Sequence, residues 1–253
     1  MNNIIVRINT LVTEANKILQ SVGSAAWRRL LLAAILFITS ITIFVQLADE
    51  VLEGEPIGFD EPVLRFAESL ANPAVDPYIV AVTELGGAPI TIAVLVVGVM
   101  YYVRRNRYRA AAFLASAIGG AALTVYFLKL LFARHRPDLW QAIVEESTYS
   151  FPSGHAMASS AVAFSLMVLF WYTRWRWITV VLGLLYLLII SWTRVYLGVH
   201  YPSDIIAGWC ISLTWVLLTI WMLSGKAFWR GDGHGMKWVL SKRHSNDKAY
   251  LDQ

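Results

Sequence analysis

The chain has 253 residues, of which 57% are apolar and 15% charged, and its formal net charge is +4. Its mean hydropathy is +0.56. This excludes an ordinary soluble domain, gives no reason to expect a nucleic-acid partner, and points to a membrane protein built as a single all-α helical bundle. With one cysteine, Cys210, neither an internal disulfide nor a thiolate metal cluster can form.

Residues 1–28 form a first unit. Ile4, Ile8, Leu11, Val12, Ile18 and Leu19 fall roughly on one helical face, and Arg7, Asn9, Glu14 and Lys17 fall mostly elsewhere. The pattern predicts an amphipathic helix on the membrane surface, with a frayed polar terminus as the alternative. The stretch is long and acidic for a signal-peptide start, and no clear cleavage site follows the first apolar run.

Residues 29–225 form the membrane unit. A first span is predicted at 30–48, long enough at ~1.5 Å per residue to cross the bilayer core. An acidic stretch follows, carrying Asp49, Glu50, Glu53, Glu55, Asp60, Glu61, Glu68 and Asp76 against one cation, Arg65. Within it Val63, Phe66, Ala67 and Leu70 have helical spacing, which predicts a short helix at the interface. Gly86 and Gly87 break the chain before a second span at 88–103. Further spans are predicted at 110–131, 155–173, 178–192 and 204–223, six in all. Residues 226–253 read as a polar tail.

The basic residues orient this arrangement. Arg28 and Arg29, the four arginines between Arg104 and Arg109, Arg174 and Arg176, and Lys226 and Arg230 all fall on one side of a six-span chain. That side is read as cytoplasmic, with both termini on it. Trp27, Trp175, Trp177, Trp221 and Trp229 sit near span ends, as interface anchors do.

The opposite side breaks the charge rule in one place. Lys129, Arg134 and Arg136 lie at or after the end of span three, His155 opens span four, Arg194 closes span five, and His200 and Asp204 lead into span six. Three separate connections therefore bring cations and histidines to one outer surface. Basic groups at membrane depth mark a functional path or partner, and arginine forks suit phosphate. Pro152-Ser153-Gly154-His155 adds a helix start whose free N–H groups would face an anion, with Ser153 as a good N-cap. Pro202 opens a helix well, which puts His200 just outside a helix N-terminus and Asp204 just inside it. Arg134 and His135 read as loop residues or weak contributors to the field, and Asp138, Glu145 and Glu146 as loop solvation.

Together these stretches resemble the three signature motifs of the type-2 phosphatidic acid phosphatase superfamily, a group that also holds vanadate-dependent haloperoxidases. Lys129 with Arg136-Pro137 matches the first motif, Pro152-Ser153-Gly154-His155 the second, and Arg194, His200 and Asp204 the third. Thr193 stands where the family usually has serine. The resemblance spans roughly residues 129–204, and the six-span pattern extends it to most of the chain. It does not cover the amphipathic start or the tail.

The resemblance implies hydrolysis through a phosphohistidine. His200 would be the nucleophile, Asp204 would orient and polarise its imidazole, and His155 would be the general acid. Lys129, Arg136 and Arg194 would bind the phosphoryl oxygens, helped by Ser153 and the Gly154 N–H. No metal and no cofactor is implied. The implied substrate is a membrane lipid phosphate, such as undecaprenyl diphosphate, phosphatidylglycerol phosphate or phosphatidic acid. The implied setting is a bacterial inner membrane with the site facing the periplasm. A lipid phosphotransferase and a non-catalytic lipid-phosphate binder or translocator stay open as alternatives. The oligomeric state is not readable.

Overall fold

The computed structural model describes residues 24–144 and 146–229. The expected amphipathic segment up to residue 23, Glu145 and the tail from residue 230 lie outside the described residues. Among the described residues all regular structure is helical: α1 (Ser24–Glu53), α2 (Asp60–Ser69), α3 (Asp76–Thr83), α4 (Ala88–Arg104), α5 (Tyr108–Phe132), α6 (Gly154–Phe170), α7 (Arg176–Tyr196) and α8 (Pro202–Trp229), with a single 3-10 turn, Glu84–Gly86, between α3 and α4.

Helix α6 is the axis of the bundle and packs against α4, α5, α7 and α8. Its sequence explains the placement. It is apolar on all sides, which suits a buried helix, and it carries the buried small residues Ala156, Ser159, Ser160, Ala161, Ala163 and Ser165. Small residues let neighbouring backbones approach closely. Ser159 and Ser160 cost little here, because Ser160 Oγ donates to Ala156 O at 2.6 Å and Ser159 Oγ to the same carbonyl at 3.2 Å. Around α6, Phe113, Leu114, Ala117, Val162, Leu169 and Val216 form one continuous apolar core. Leu32 and Ile38 on α1, Val97 on α4 and Leu182 on α7 point outward. An outward apolar belt of this kind belongs in lipid.

Among the described residues, five segments are long and apolar enough to cross a membrane: Leu30–Glu53, Asp76–Arg104, Tyr108–Phe132, Arg176–Tyr196 and Pro202–Leu223. The chain is thus an all-helical, polytopic membrane protein. Helix α6, expected as the fourth span, has 17 residues and is shorter than these.

Two boundaries differ from the sequence expectation. Helix α1 runs on to Glu53 rather than stopping at 48. The second apolar segment starts at Asp76 rather than at 88. The glycine pair does interrupt the helix, but the chain continues through the 3-10 turn and restarts from Gly87, which is extended (ψ 165). Asp76 had been counted with the acidic loop. It is instead a first-turn acid of α3, where the helix dipole favours it, and Tyr196 Oη holds it at 2.9 Å. The short helix expected around Val63 to Leu70 is α2. It buries Leu64 and Ala67 and packs on α7 and α8, while the exposed Phe66 lies near Trp192, ring centroids 6.3 Å apart.

Candidate active site

One end of the bundle gathers the end of α5, the start of α6, the end of α7 and the start of α8, roofed by the 133–153 connection. Local sequence sets each element in place. Ser153 caps α6, its side chain accepting from Ala156 N at 3.5 Å, and its own N–H donates to Asp204 O at 3.1 Å. Pro202 starts α8, and the Asp204 carboxylate reaches back to accept from Tyr201 N at 2.9 Å. That is half of a capping box. Gly198 has φ +73, and a Cβ there would stand 2.9 Å from the Trp140 ring. Glycine therefore permits both the tight turn before His200 and the roof contact above it.

His200 lies at the floor of this end and is 1% exposed. Its Nδ1 faces Asp204 Oδ2 at 3.3 Å, with Ser150 Oγ 3.4 Å away. Its Nε2 lies 3.3 Å from a guanidinium nitrogen of Arg136. A carboxylate on one ring nitrogen and a donor on the other fix the tautomer: the proton sits on Nδ1, and Nε2 presents its lone pair. Burial, reinforced by the charges of Arg194, Arg136 and Lys129, holds this imidazole well below the usual histidine value of 6.5. That shift favours the neutral form of the His200 ring.

Three cations act on His200 through their charge, and Arg136 is the one in contact with Nε2. Arg136 donates to Val199 O at 2.6 Å and to Thr148 O at 2.8 Å. Lys129 Nζ donates to Thr148 Oγ1 at 3.0 Å and to Tyr149 O, and its Cε lies 4.0 Å from where a Cβ on Gly154 would be. Arg194, 1% exposed, donates to Thr83 Oγ1 at 3.0 Å and to Glu146, while its buried Nε has no partner among the described residues. His155 opens α6 beside Gly87, its Nε2 3.7 Å from where a Cβ on that glycine would stand, and the charges of Arg194, Glu146, Lys129 and Arg136 all reach it. Lys129, Arg136, Gly154, His155, Arg194, His200 and Asp204 thus come together at one end. Ser153 is buried beneath them and spends its hydroxyl on the helix cap.

Two readings of the loop residues are corrected. Arg134 does lie on the 133–153 connection, but it is no weak contributor. It is mostly buried, lies over the Tyr201 ring at 4.0 Å, and pairs with Asp204 Oδ1 at 2.6 Å and Asp60 Oδ2 at 3.0 Å. Glu146 is not loop solvation. It pairs with Arg194 and lies 3.7 Å from Arg136. Burial favours its neutral form, but these two arginines outweigh that and hold its carboxyl below the ordinary range. Thr83 and Ser150 carry no signal of their own in the sequence, and Asp60 reads there only as one of a run of loop acids. Arg134 had the clearest available signal: a second arginine two residues before Arg136, on the same connection.

Taken together, the arrangement offers a neutral imidazole backed by a carboxylate, a second histidine, and three cations that can accept a tetrahedral anion.

A family model described as the PAP2 superfamily matches residues 110–227, a stretch that holds all eight of the site residues proposed from sequence. The chain is 43% identical over 68 residues to an undecaprenyl-diphosphatase of Sulfolobus acidocaldarius, covering 27% of this chain and 30% of that protein, so the chain matches less than a third of that relative's length. It is 28% identical over 163 residues to phosphatidylglycerophosphatase B of Bacillus subtilis, covering 61% of this chain and 78% of that protein. The crystal structure of a transmembrane PAP2 type phosphatidylglycerolphosphate phosphatase from Bacillus subtilis has the same fold, with a TM-score of 0.64 over 74% of this chain and 94% of that one, at 22% identity.

Proposed function

We propose, from the match of residues 110–227 to the PAP2 superfamily model, that this chain is a membrane lipid phosphatase of that family working through a phosphohistidine. His200 Nε2 attacks phosphorus with its lone pair, and the bond from phosphorus to the lipid-side oxygen breaks. His155 protonates that leaving oxygen. Asp204 keeps the proton on His200 Nδ1 and balances the positive charge that the ring gains as the N–P bond forms. Water, deprotonated by His155, then displaces His200 and releases inorganic phosphate. Lys129, Arg136 and Arg194 stabilise the charge spread over the equatorial oxygens.

The observation that carries this reading is the placement of His200. Its Nε2 sits 3.3 Å from Arg136 while Asp204 backs Nδ1. A site meant for binding alone needs the cations but not this oriented imidazole. The charge asymmetry of the loops supports an outer, periplasmic location in a plasma membrane, with both termini cytoplasmic. A lipid substrate suits a site at a helix-bundle end flanked by α2 and its outward Phe66. The relatives' names favour undecaprenyl diphosphate and phosphatidylglycerol phosphate, with phosphatidic acid as a third candidate.

The test is phosphate release from these three lipids by the purified protein in detergent with EDTA present, and His200→Ala as control. The expected result is metal-independent release that the substitution abolishes. A folded wild-type sample that releases no phosphate from any of them, or an active His200→Ala enzyme, overturns the proposal.

A further inference from the structure

Beyond the matched family region, the first turn of α2 contributes a buried carboxylate to the site. Asp60 is 4% exposed. Its Oδ1 accepts from Ser203 N at 2.8 Å, and its Oδ2 accepts from Ser203 Oγ at 2.6 Å and from Arg134 at 3.0 Å. The other arm of the Arg134 guanidinium donates to Asp204 Oδ1 at 2.6 Å and to Ser203 Oγ at 2.8 Å. The second oxygen of Asp204 faces His200. An unbroken chain of contacts thus runs from Asp60 through Arg134 and Asp204 to the imidazole.

We propose that Asp60 and Arg134 are positioning residues for His200, acting through Asp204. The inference rests on reading His200 as the nucleophile. Two physical arguments carry it.

The first is orientation. Asp204 has four partners. Arg134 holds Oδ1, while Ser150 Oγ, Tyr201 N and His200 Nδ1 surround Oδ2. Remove Arg134 and Oδ1 loses its hold, so the carboxylate plane is fixed from one oxygen only and the preferred ring orientation loosens with it.

The second is charge. Arg134 alone would neutralise Asp204 and leave nothing to balance the cationic ring of a phosphohistidine. Asp60 on the far arm of Arg134 restores one net negative charge to the trio. The need for it is plain from the surroundings. Arg136 and Glu146 from the 133–153 connection, Lys129 from α5, His155 from α6 and Arg194 from α7 also face this end, and together they are net positive. A buried carboxylate that served only to anchor α2 would be an expensive anchor. Its value lies in what it does to Arg134.

The experiment uses the full chain in detergent and compares wild type with Asp60→Asn, which keeps shape and removes charge. The expected outcome is a drop of about ten- to a hundredfold in kcat, with KM within about twofold and the affinity for inorganic phosphate unchanged, because Arg136, Arg194 and Lys129 are untouched. Asp60→Glu should recover part of the loss. Arg134→Lys, which keeps the charge but not the fork, should show a loss of similar size, and combining it with Asp60→Asn should add little. This second variant decides the question if Asp60→Asn does not fold. A kcat within twofold of wild type in both single variants overturns the proposal. So does a parallel loss of phosphate affinity and kcat, which would mark a general anchor. If the wild type itself shows no turnover, the functional reading fails separately, and the relay is read from the 15N shift of His200 Nδ1. That shift moves in Asp60→Asn if the relay exists and stays fixed if it does not.

Discussion

Arg194→Lys isolates what a guanidinium does at this site beyond carrying charge. The Arg194 side chain splits its donors. One arm is held by Thr83 Oγ1 at 3.0 Å, the other is paired with Glu146, and Nε is buried without a partner among the described residues. On the proposed mechanism the Glu146-facing arm and Nε turn to the phosphoryl group, while Thr83 holds the fork still. A lysine ammonium keeps the charge but cannot stay anchored on Thr83 and present two parallel donors to phosphate. Loss of one well-aimed donor to transition-state charge costs roughly 10²–10³ in kcat, or ~2.7–4 kcal/mol. Retained charge pulls the expected loss toward the lower end, about a hundredfold. The fold should suffer less, since Thr83 Oγ1 keeps a hydroxyl partner in Thr193 at 2.8 Å, and a stability loss of ~1–2 kcal/mol is expected for the changed buried contact. Steady-state phosphate release gives kcat and KM, and intrinsic tryptophan fluorescence follows thermal unfolding of the same sample. A fall in kcat with KM nearly constant means that the fork acts in the transition state. A variant within threefold of wild type in kcat/KM would show that charge alone suffices and would refute the geometric argument.

Three further outcomes follow from the same coordinates. Glu146 pairs with the arginines that a phosphoryl group would need, so Glu146→Gln should tighten inorganic phosphate as a competitive inhibitor about tenfold, ~1.4 kcal/mol; an unchanged or weaker inhibition constant would show that the carboxylate does not compete. His200 is held neutral by burial and by Arg194, so in a histidine-labelled sample its ring should show no titration near 6.5 on lowering the pH, whereas a free histidine would be half protonated there. Because its folded value is depressed, the associated stability is present above about pH 6.5 and is lost as pH falls below it; a normal titration at 6.5 contradicts the buried geometry. Gly120 and Gly119 make a matched pair on α5. A Cβ on Gly120 would stand 1.9 Å from Trp215 Nε1 and break its bond to Ser116 O, so Gly120→Ala should cost ~1–3 kcal/mol in detergent melts, while Gly119→Ala, facing open space, should cost nothing. Equal melting of the two variants would mean that α5 and α8 do not pack as described.

The spans and the residues gathered at the candidate site were legible because their signals are local. A run of apolar residues declares a membrane helix by length. Pro152 to His155 and Arg194 to Asp204 announce helix ends by their own chemistry, and the ends of α5, α6, α7 and α8 can meet only at one surface of an alternating bundle. What stayed hidden depends on distant partners. Asp60 stands in a run of acids that looks uniformly solvated, and its partner Ser203 is 143 residues away. Thr83, 111 residues from Arg194, sits at a helix end that the glycine pair masked. Arg134 and Glu146 lie on one connection with no periodicity, so their neighbours in sequence say nothing about their neighbours in space.

Part of this could still have been inferred from charge balance. Lys129, Arg134, Arg136 and Arg194 were all placed by sequence at one membrane surface, and four cations cannot be brought into a half-buried site without counter-charge, since an uncompensated buried charge costs several kcal/mol. Asp204 can balance only one of them. The cation count therefore required further carboxylates from the outer loops, and the nearby candidates were the 49–76 acids and the 138–146 acids. The fold selects Asp60 from the first set and Glu146 from the second. The two answer different cations: Asp60 neutralises Arg134, which no substrate needs to reach, while Glu146 covers Arg194 and Arg136, which the substrate must reach. On the proposed mechanism, permanent balance lies behind His200 and displaceable balance in front of it, and that division lets a strongly positive pocket exist before any phosphate arrives.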